Sequence, residues 1–322
     1  MSLKKGSKET GWLEFNYPPT GEPIRFPVGT IYGKKDGPTL LVLGGMHGSE
    51  FAGIEAAIRL YNEVKPERLS GILKIGMIYN LPAFQNNMGF IVPQDGKNPG
   101  RTFPGKPDGT YSEVMAYHFT ENLLKQTDYF IELHGGDIPE ALVPFVYVPL
   151  TGKEMVDTKC RDLAKAYNIQ LIVNGKITMP VTEPTMAFIT AAIFNTPAIL
   201  CESGQQGILK MEEVKTHLTG LNNILIHLGM LSGTLINTTK RMYSEEHIAI
   251  RSELKGMWYP AVNLGDMVKK DHIVGHICDY FGDPILPIKA VSDGHITVIR
   301  TSPAVNPGNV LIEEDRISDH EN

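Results

Sequence analysis

Cysteine is scarce in this 322-residue sequence: Cys160, Cys201 and Cys278 stand far apart, with no Cys-x-x-Cys pair. That argues against a disulfide framework and for a reducing compartment. Long apolar runs are missing as well. None approaches the roughly 18–20 residues that a membrane-spanning helix needs, so no membrane partner is expected. There is no basic stripe, and 30 Lys and Arg against 36 Asp and Glu give a net charge of −6, so no nucleic-acid partner is expected either. Residues 1–10 are polar and lack the apolar region of a signal peptide, so the expected location is the cytoplasm. Several catalytic signatures are absent too. No Gly-x-Ser-x-Gly elbow is present, and neither is a Gly-x-Gly-x-x-Gly nor a P-loop pattern. What remains, 42% hydrophobic and 20% charged, is an ordinary globular balance, long enough for one large domain and a smaller one.

The rest of the chain is organised around Leu40-Leu41-Val42-Leu43-Gly44-Gly45-Met46-His47-Gly48-Ser49-Glu50. An apolar run ends in glycines, then His-x-x-Glu leads into a helical pattern over 50–62. This predicts a buried strand, a tight turn and a helix, with His47 and Glu50 delivered to the open end of a sheet, where α/β sheets place their sites. Further strands are expected at 72–80, 128–134, 144–149, 171–173 and 197–202. Helices are expected at 111–126, 153–167, 185–194 and 211–231, with Met155, Val156, Leu163 and Ala166 toward the buried side of the second. His118 and Cys201 read as packing residues. Strands alternating with helices predict an α/β domain with a mostly parallel sheet over residues 1–236. Residues 81–110 show no period and are too long for a plain connector, which suggests a functional loop.

From 237 to 322 the helical periods stop and short β-like runs take over. Pro260-Ala261-Val262-Asn263-Leu264-Gly265-Asp266 recurs as Pro303-Ala304-Val305-Asn306-Pro307-Gly308-Asn309. Together with Ala290-Val291-Ser292-Asp293-Gly294-His295-Ile296, this resembles a small all-β barrel-sandwich of the biotinyl/lipoyl type. The hairpin at 280–284 has no lysine to carry a group, so the module is expected to shape the site or to make a contact between copies of the chain. The charged tail from Glu313 is expected to be frayed.

Three strand ends carry polar groups: His47 with Glu50, His134, and Glu202. If the strands are neighbours, these groups converge. Two His and one Glu form the open zinc site of hydrolases, one ion per chain. A nearby carboxylate must take a proton from water and hand it to the leaving amine, and Glu202, packed among apolar residues, suits that role. Asp137 and Glu140, after His134, either line the pocket or only solvate a loop, and the second reading is favoured.

These residues resemble the succinylglutamate desuccinylase/aspartoacylase family, relatives of the zinc carboxypeptidases. The resemblance runs over most of residues 27–231. It rests on His47-Gly48-x-Glu50, His134, Glu202 before Gly204, and Asp95-Gly96-Lys97-Asn98-Pro99-Gly100-Arg101-Thr102-Phe103-Pro104-Gly105. It implies a carboxypeptidase-like fold, zinc held by His47, Glu50 and His134, and Glu202 as base and then acid. It further implies hydrolysis of a small N-acylated amine or amino acid, with Arg101 gripping a substrate carboxylate. Two positions depart from the family pattern. Gly100 stands where an Asn is usual. Gly89 falls where many members carry an arginine, a candidate oxyanion donor of the kind whose loss costs about 2.7–4 kcal/mol. Asn98, Lys97 or a residue from elsewhere is expected to compensate, which makes Asn98 a candidate substrate-binding residue. The alternatives are a metallocarboxypeptidase acting on short peptides and a metal-binding homologue without catalysis.

Overall fold

The computed structural model describes residues 4–237 and 240–319. The first part of the chain runs β1 (Ser7–Asn16), β2 (Pro23–Tyr32), β3 (Lys35–Leu43), α1 (Phe51–Glu63), β4 (Ser70–Gly76), α2 (Leu81–Gln85), α3 (Tyr111–Asn122), β5 (Tyr129–His134), β6 (Glu140–Leu142), β7 (Phe145–Leu150), α4 (Glu154–Tyr167), β8 (Leu171–Lys176), α5 (Ala187–Ile193), β9 (Ala198–Glu202) and α6 (Met211–His227). After it come β10 (Met242–Arg251), β11 (Gly256–Pro260), β12 (Met267–Val268), β13 (Ile273–Cys278), β14 (Pro284–Lys289), β15 (Gly294–Arg300), β16 (Ala304–Val305) and β17 (Val310–Ser318).

The centre of the main sheet is the parallel set β4-β3-β5-β9. Leu40 to Leu43 of β3 are fully buried, as a strand covered on both faces requires. One face is covered by α1, α4 and α6, through Ala56, Leu60, Val156, Leu163, Leu221 and Ile224. The other is covered by α3 and α5, through Val114, Phe119 and Phe188, with Phe26 and Tyr79. Beyond β9 the direction reverses, because β7 pairs antiparallel with it, so the sheet is mixed, with its parallel block in the middle.

The expected elements form, with local differences. The helix begun at Met211 stops at His227, where Gly229 turns left-handed (φ +67°) just beyond it. Met155 is 75% exposed, not buried as expected: the buried stripe of α4 runs through Val156, Cys160, Leu163 and Tyr167, and Met155 lies one step round from it. His118 stacks on Phe15, and Cys201 is fully buried.

The main sheet continues into the C-terminal strands. β10 lies parallel to β8, followed by β17, β15 and β12, while β14-β13-β11-β16 form a second, antiparallel sheet. The two sheets enclose Trp258, Val274, Ile277, Ile296, Leu311 and Ile312. Both copies of the repeat make the same turn. Asn263 N–H donates to Asp266 Oδ2 at 2.8 Å and Asn306 N–H to Asn309 Oδ1 at 3.0 Å, with Gly265 and Gly308 at φ +82° and +86°. The expectation of a frayed tail from Glu313 is corrected by β17, a strand paired on both sides. Glu314 and Asp315 are buried because each has donors. Glu314 accepts from the N–H groups of Val291 and Ser292, and Asp315 from Ser244, Thr297 and His247. Residues 320–322 lie outside the described residues.

Candidate metal centre and active site

His47 and Glu50 reach their position through a turn that tolerates no side chain. A Cβ on Gly44 would come within 2.9 Å of Gly53 O on α1, and Gly45 has φ +68°. Gly48 is pressed against Ala83 and Phe84 of α2. His134 is the last residue of β5, the next strand, and Glu202 is paired opposite it at the end of β9. Three strand ends therefore meet, in the order His47, His134, Glu202 across the sheet.

The ligand-capable atoms of His47, Glu50 and His134 lie within 4.8 Å of one another, all buried. His47 Nδ1 is 2.6 Å from Glu50 Oε1. Glu50 Oε2 is buried without a hydrogen-bond partner among the described residues, and lies 3.1 Å from His134 Nδ1. The outward nitrogens are held separately: His47 Nε2 lies 3.1 Å from Asn98 Oδ1, and His134 Nε2 lies 3.1 Å from Glu132 Oε1. Backing of this kind fixes the tautomer and aim of metal-binding histidines. Two imidazoles and an unsatisfied buried carboxylate oxygen, with more carboxylates around them, fit one divalent cation.

The electrostatics agree with that fit. Burial opposes charge on every group here. For Glu50 the two imidazoles outweigh it and hold the carboxyl down at about 2. For His47 and His134 the Glu50 carboxylate outweighs it, pushing His47 up and His134 well up, with Glu132 adding to the second. Burial pushes Glu202 up to about 8, with His134 opposing and Glu50 and Glu140 adding to the rise. Glu202 Oε2 is buried and unpaired among the described residues.

The remaining candidates fall as follows. Asn98 is half-buried; its oxygen takes His47 Nε2 and the Gly100 N–H (2.8 Å), while its amide nitrogen makes no hydrogen bond among the described residues. Arg101 is exposed at the rim, near enough to Tyr147 to act on its hydroxyl. Lys97 points to Glu113 at 3.4 Å, away from the centre. A Cβ on Gly100 would lie 3.1 Å from Asn98 Oδ1 and 3.6 Å from His47 Nε2, so glycine lets Asn98 stay against His47.

Asp137 and Glu140 do more than solvate a loop. Asp137 is fully buried and accepts from Ser49, Phe90 N–H and Ile138 N–H. Glu140 lies among Glu313, Glu50 and Asp137; burial first, then these acids, push it up to about 8. It sits there because β6 pairs with β15 of the C-terminal strands. Those strands contribute His247, whose ring lies 6.2 Å from Tyr147 and whose Nε2 is 3.3 Å from Glu313 Oε2.

Sequence reading passed over Glu132, His217, Phe90 and Glu313. Glu132 had a signal, since residues two apart on a strand share a face. His217 Nε2 lies 2.9 Å from His134 O and 3.0 Å from Ser203 O, so α6 clamps the ends of β5 and β9. A single histidine in a helix gives no hint of that.

The model of the succinylglutamate desuccinylase/aspartoacylase catalytic domain matches residues 36–228. The N-alpha-acetyl-L-2,4-diaminobutyric acid deacetylase of Halomonas elongata is 27% identical over 301 residues, 89% of this chain and 84% of that protein. In fold, the product-bound ectoine utilization protein EutE (DoeB) of Ruegeria pomeroyi is similar with a TM-score of 0.86, at 24% identity, covering 98% of this chain and 97% of that one. A succinylglutamate desuccinylase of Silicibacter sp. TM1040 is similar with a TM-score of 0.85, at 22% identity, covering 98% of each chain. The matched region contains the glycine turn, the His-Glu-His donor set and Glu202, and the chain belongs to the succinylglutamate desuccinylase/aspartoacylase family.

Proposed function

We propose that the protein is a zinc-dependent amidohydrolase that removes a small acyl group from an N-acylated diamino acid. The observation that carries this reading is the buried His47–Glu50–His134 set, backed by Asn98 and Glu132, with the unpaired carboxylate of Glu202 beside it. A zinc ion held by those three residues would polarise an amide carbonyl and lower the pKa of water. Glu202 accepts the proton of the attacking water and passes it to the departing amine nitrogen. A raised pKa suits a group that must both take and give a proton near neutrality. Arg101 holds a substrate carboxylate, and the free amide nitrogen of Asn98 adds a donor near His47.

The amine is suggested by the charges around the site. Glu140 and, from the C-terminal strands, Glu313 face the same space, and Arg101 and Glu313 act on Tyr147 from opposite signs. An ammonium placed there would favour the ionised form of Glu140 and pair with it, while Arg101 meets a substrate carboxylate; a second carboxylate would be repelled by Glu313 and by ionised Glu140. That agrees with the deacetylase from Halomonas elongata, whose substrate is named as an acetylated diaminobutyrate. On this reading residues 237–322 form a β module that completes the substrate pocket of a catalytic domain over 1–236.

The test is hydrolysis by the zinc-loaded protein of N-acetyl-2,4-diaminobutyrate, N-acetylaspartate and a short peptide. Turnover of the first well above the other two is expected. Preference for the peptide would favour the metallocarboxypeptidase. No turnover with bound zinc would favour a metal-binding homologue without catalysis.

A further inference from the structure

Beside His47 the chain makes a three-residue turn. Ile91 N–H donates to Gly89 O at 2.6 Å, and Phe90 at its centre has φ +53°. A bulky aromatic rarely takes that conformation, and here surrounding bonds impose it. Phe90 N–H donates to Asp137 Oδ2 at 2.6 Å. Asp137 Oδ1 in turn accepts from the Ser49 hydroxyl and from Ile138 N–H at 2.7 Å. Position 89 leaves no room for a side chain, because a Cβ there would lie 2.6 Å from the Asp137 carboxyl carbon. Gly89 and Asp137 therefore fit only each other. The turn is pinned from the segment that follows His134.

What the turn presents is the Phe90 ring, edge-on to the His47 imidazole with centroids 5.3 Å apart and planes at 68°. The ring is half-buried beside that imidazole. Which end of a substrate meets it follows from the chemistry. Glu202 has to reach the leaving nitrogen, so the amine lies on the β9 side of the centre. The acyl substituent is on the other side of the carbonyl, toward His47 and Phe90.

We infer that Phe90, locked by Asp137, is the wall that restricts the acyl group to a short, uncharged one such as acetyl. This rests on the amidohydrolase reading and adds the acyl class to it. In a rigid apolar pocket one methylene more or less is worth roughly 10- to 200-fold in kcat/KM.

The experiment compares N-acetyl- with N-butyryl-2,4-diaminobutyrate for the wild-type protein, Phe90→Ala, Phe90→Leu and Gly89→Ala, with zinc content measured in each. The wild type is expected to prefer acetyl. In Phe90→Ala the butyryl-to-acetyl ratio of kcat/KM should rise at least about 10-fold, with zinc retained. Phe90→Leu should fall between the two, and Gly89→Ala, by displacing the Asp137 carboxylate, should move the ratio the same way. Hydrolysis with an unmoved ratio in both Phe90 variants would overturn the wall alone. Loss of both activities in both Phe90 variants, with fold and zinc intact, would assign Phe90 to the chemistry and overturn its role in acyl size. A wild type that hydrolyses neither compound would sink the amidohydrolase reading and the wall with it.

Discussion

Glu132, fully buried in β5, and Glu202, half-buried at the end of β9, are carboxylates on neighbouring strands, yet their surroundings divide their tasks. Glu132 is engaged twice, by His134 Nε2 and by the Phe188 N–H at 3.0 Å, and so aims a ligand. Glu202 keeps an oxygen unpaired among the described residues, and so remains available to a reacting water. Glu202→Gln should therefore leave zinc content unchanged and lower kcat by about 10²- to 10⁴-fold, the usual contribution of a general base. Near-normal turnover would remove it from that role. Glu202 works as a base only when deprotonated. Burial raises its pKa to about 8 before any cation is present, and a nearby cation draws it down. The kcat/KM should accordingly rise with pH and level off at or below about 8. A profile that falls as pH rises toward that value would contradict the assignment. At this scale His47, Glu50, His134 and Glu202 were legible in the sequence, because each sits at a break between an apolar run and glycine. Phe90 was not, because its meaning depends on Asp137, which is distant along the chain.

Among the elements, α6 and the pair β10 and β17 do the positioning that periodicity cannot reveal. Through His217, α6 donates to the carbonyl of His134 on β5 and to that of Ser203 just after β9, while Tyr167 OH lies 2.8 Å from His217 Nδ1. Burial pushes His217 down to about 4, which keeps it neutral. His217→Leu takes a donor from both carbonyls and the imidazole partner from the Tyr167 hydroxyl, and should cost about 1–3 kcal/mol, read as a lower denaturant midpoint. An unchanged midpoint would deny the clamp. On β10, burial works against charge on His247, but Asp315 and Glu313 raise it to about 10 from an ordinary 6.5. A raised folded pKa means that its contribution is fully present below about 6.5 and fades as pH climbs through about 10. The stability gap between wild type and His247→Gln should thus be wide at pH 6.5 and close by pH 10 or so; a gap that widens with pH would refute the pairing. The sequence suggested the opposite for this region, reading the acids from Glu313 as a frayed tail. Charge density marks an exposed segment only when donors are absent, and Ser244, Thr297 and His247 supply them from other strands and Ser292 from the turn between β14 and β15.

For the whole molecule, the alternation of strands and helices was enough to derive a three-layer α/β body, since parallel strands need helices on both faces. The reversal at β7 and the continuation of the sheet through β8 into β10 were not legible. Which strands pair is decided by contacts between segments far apart in the chain, and the sequence of β7, β8 or β10 taken alone carries no mark of its partner or direction. That continuation has a functional consequence. With β6 held by β15, the segment after His134 is tied to the C-terminal strands, so Glu140 and Glu313 face one space. The proposed chemistry requires a metal at the centre. The direct measurement is the metal content of freshly purified protein and of His134→Ala, before and after chelation, with amide hydrolysis followed alongside. We expect about one zinc per wild-type chain, hydrolysis lost on chelation and restored by zinc, and no retained metal in the variant. A wild-type protein that neither carries a metal nor takes one up when offered would contradict the reading of His47, Glu50 and His134.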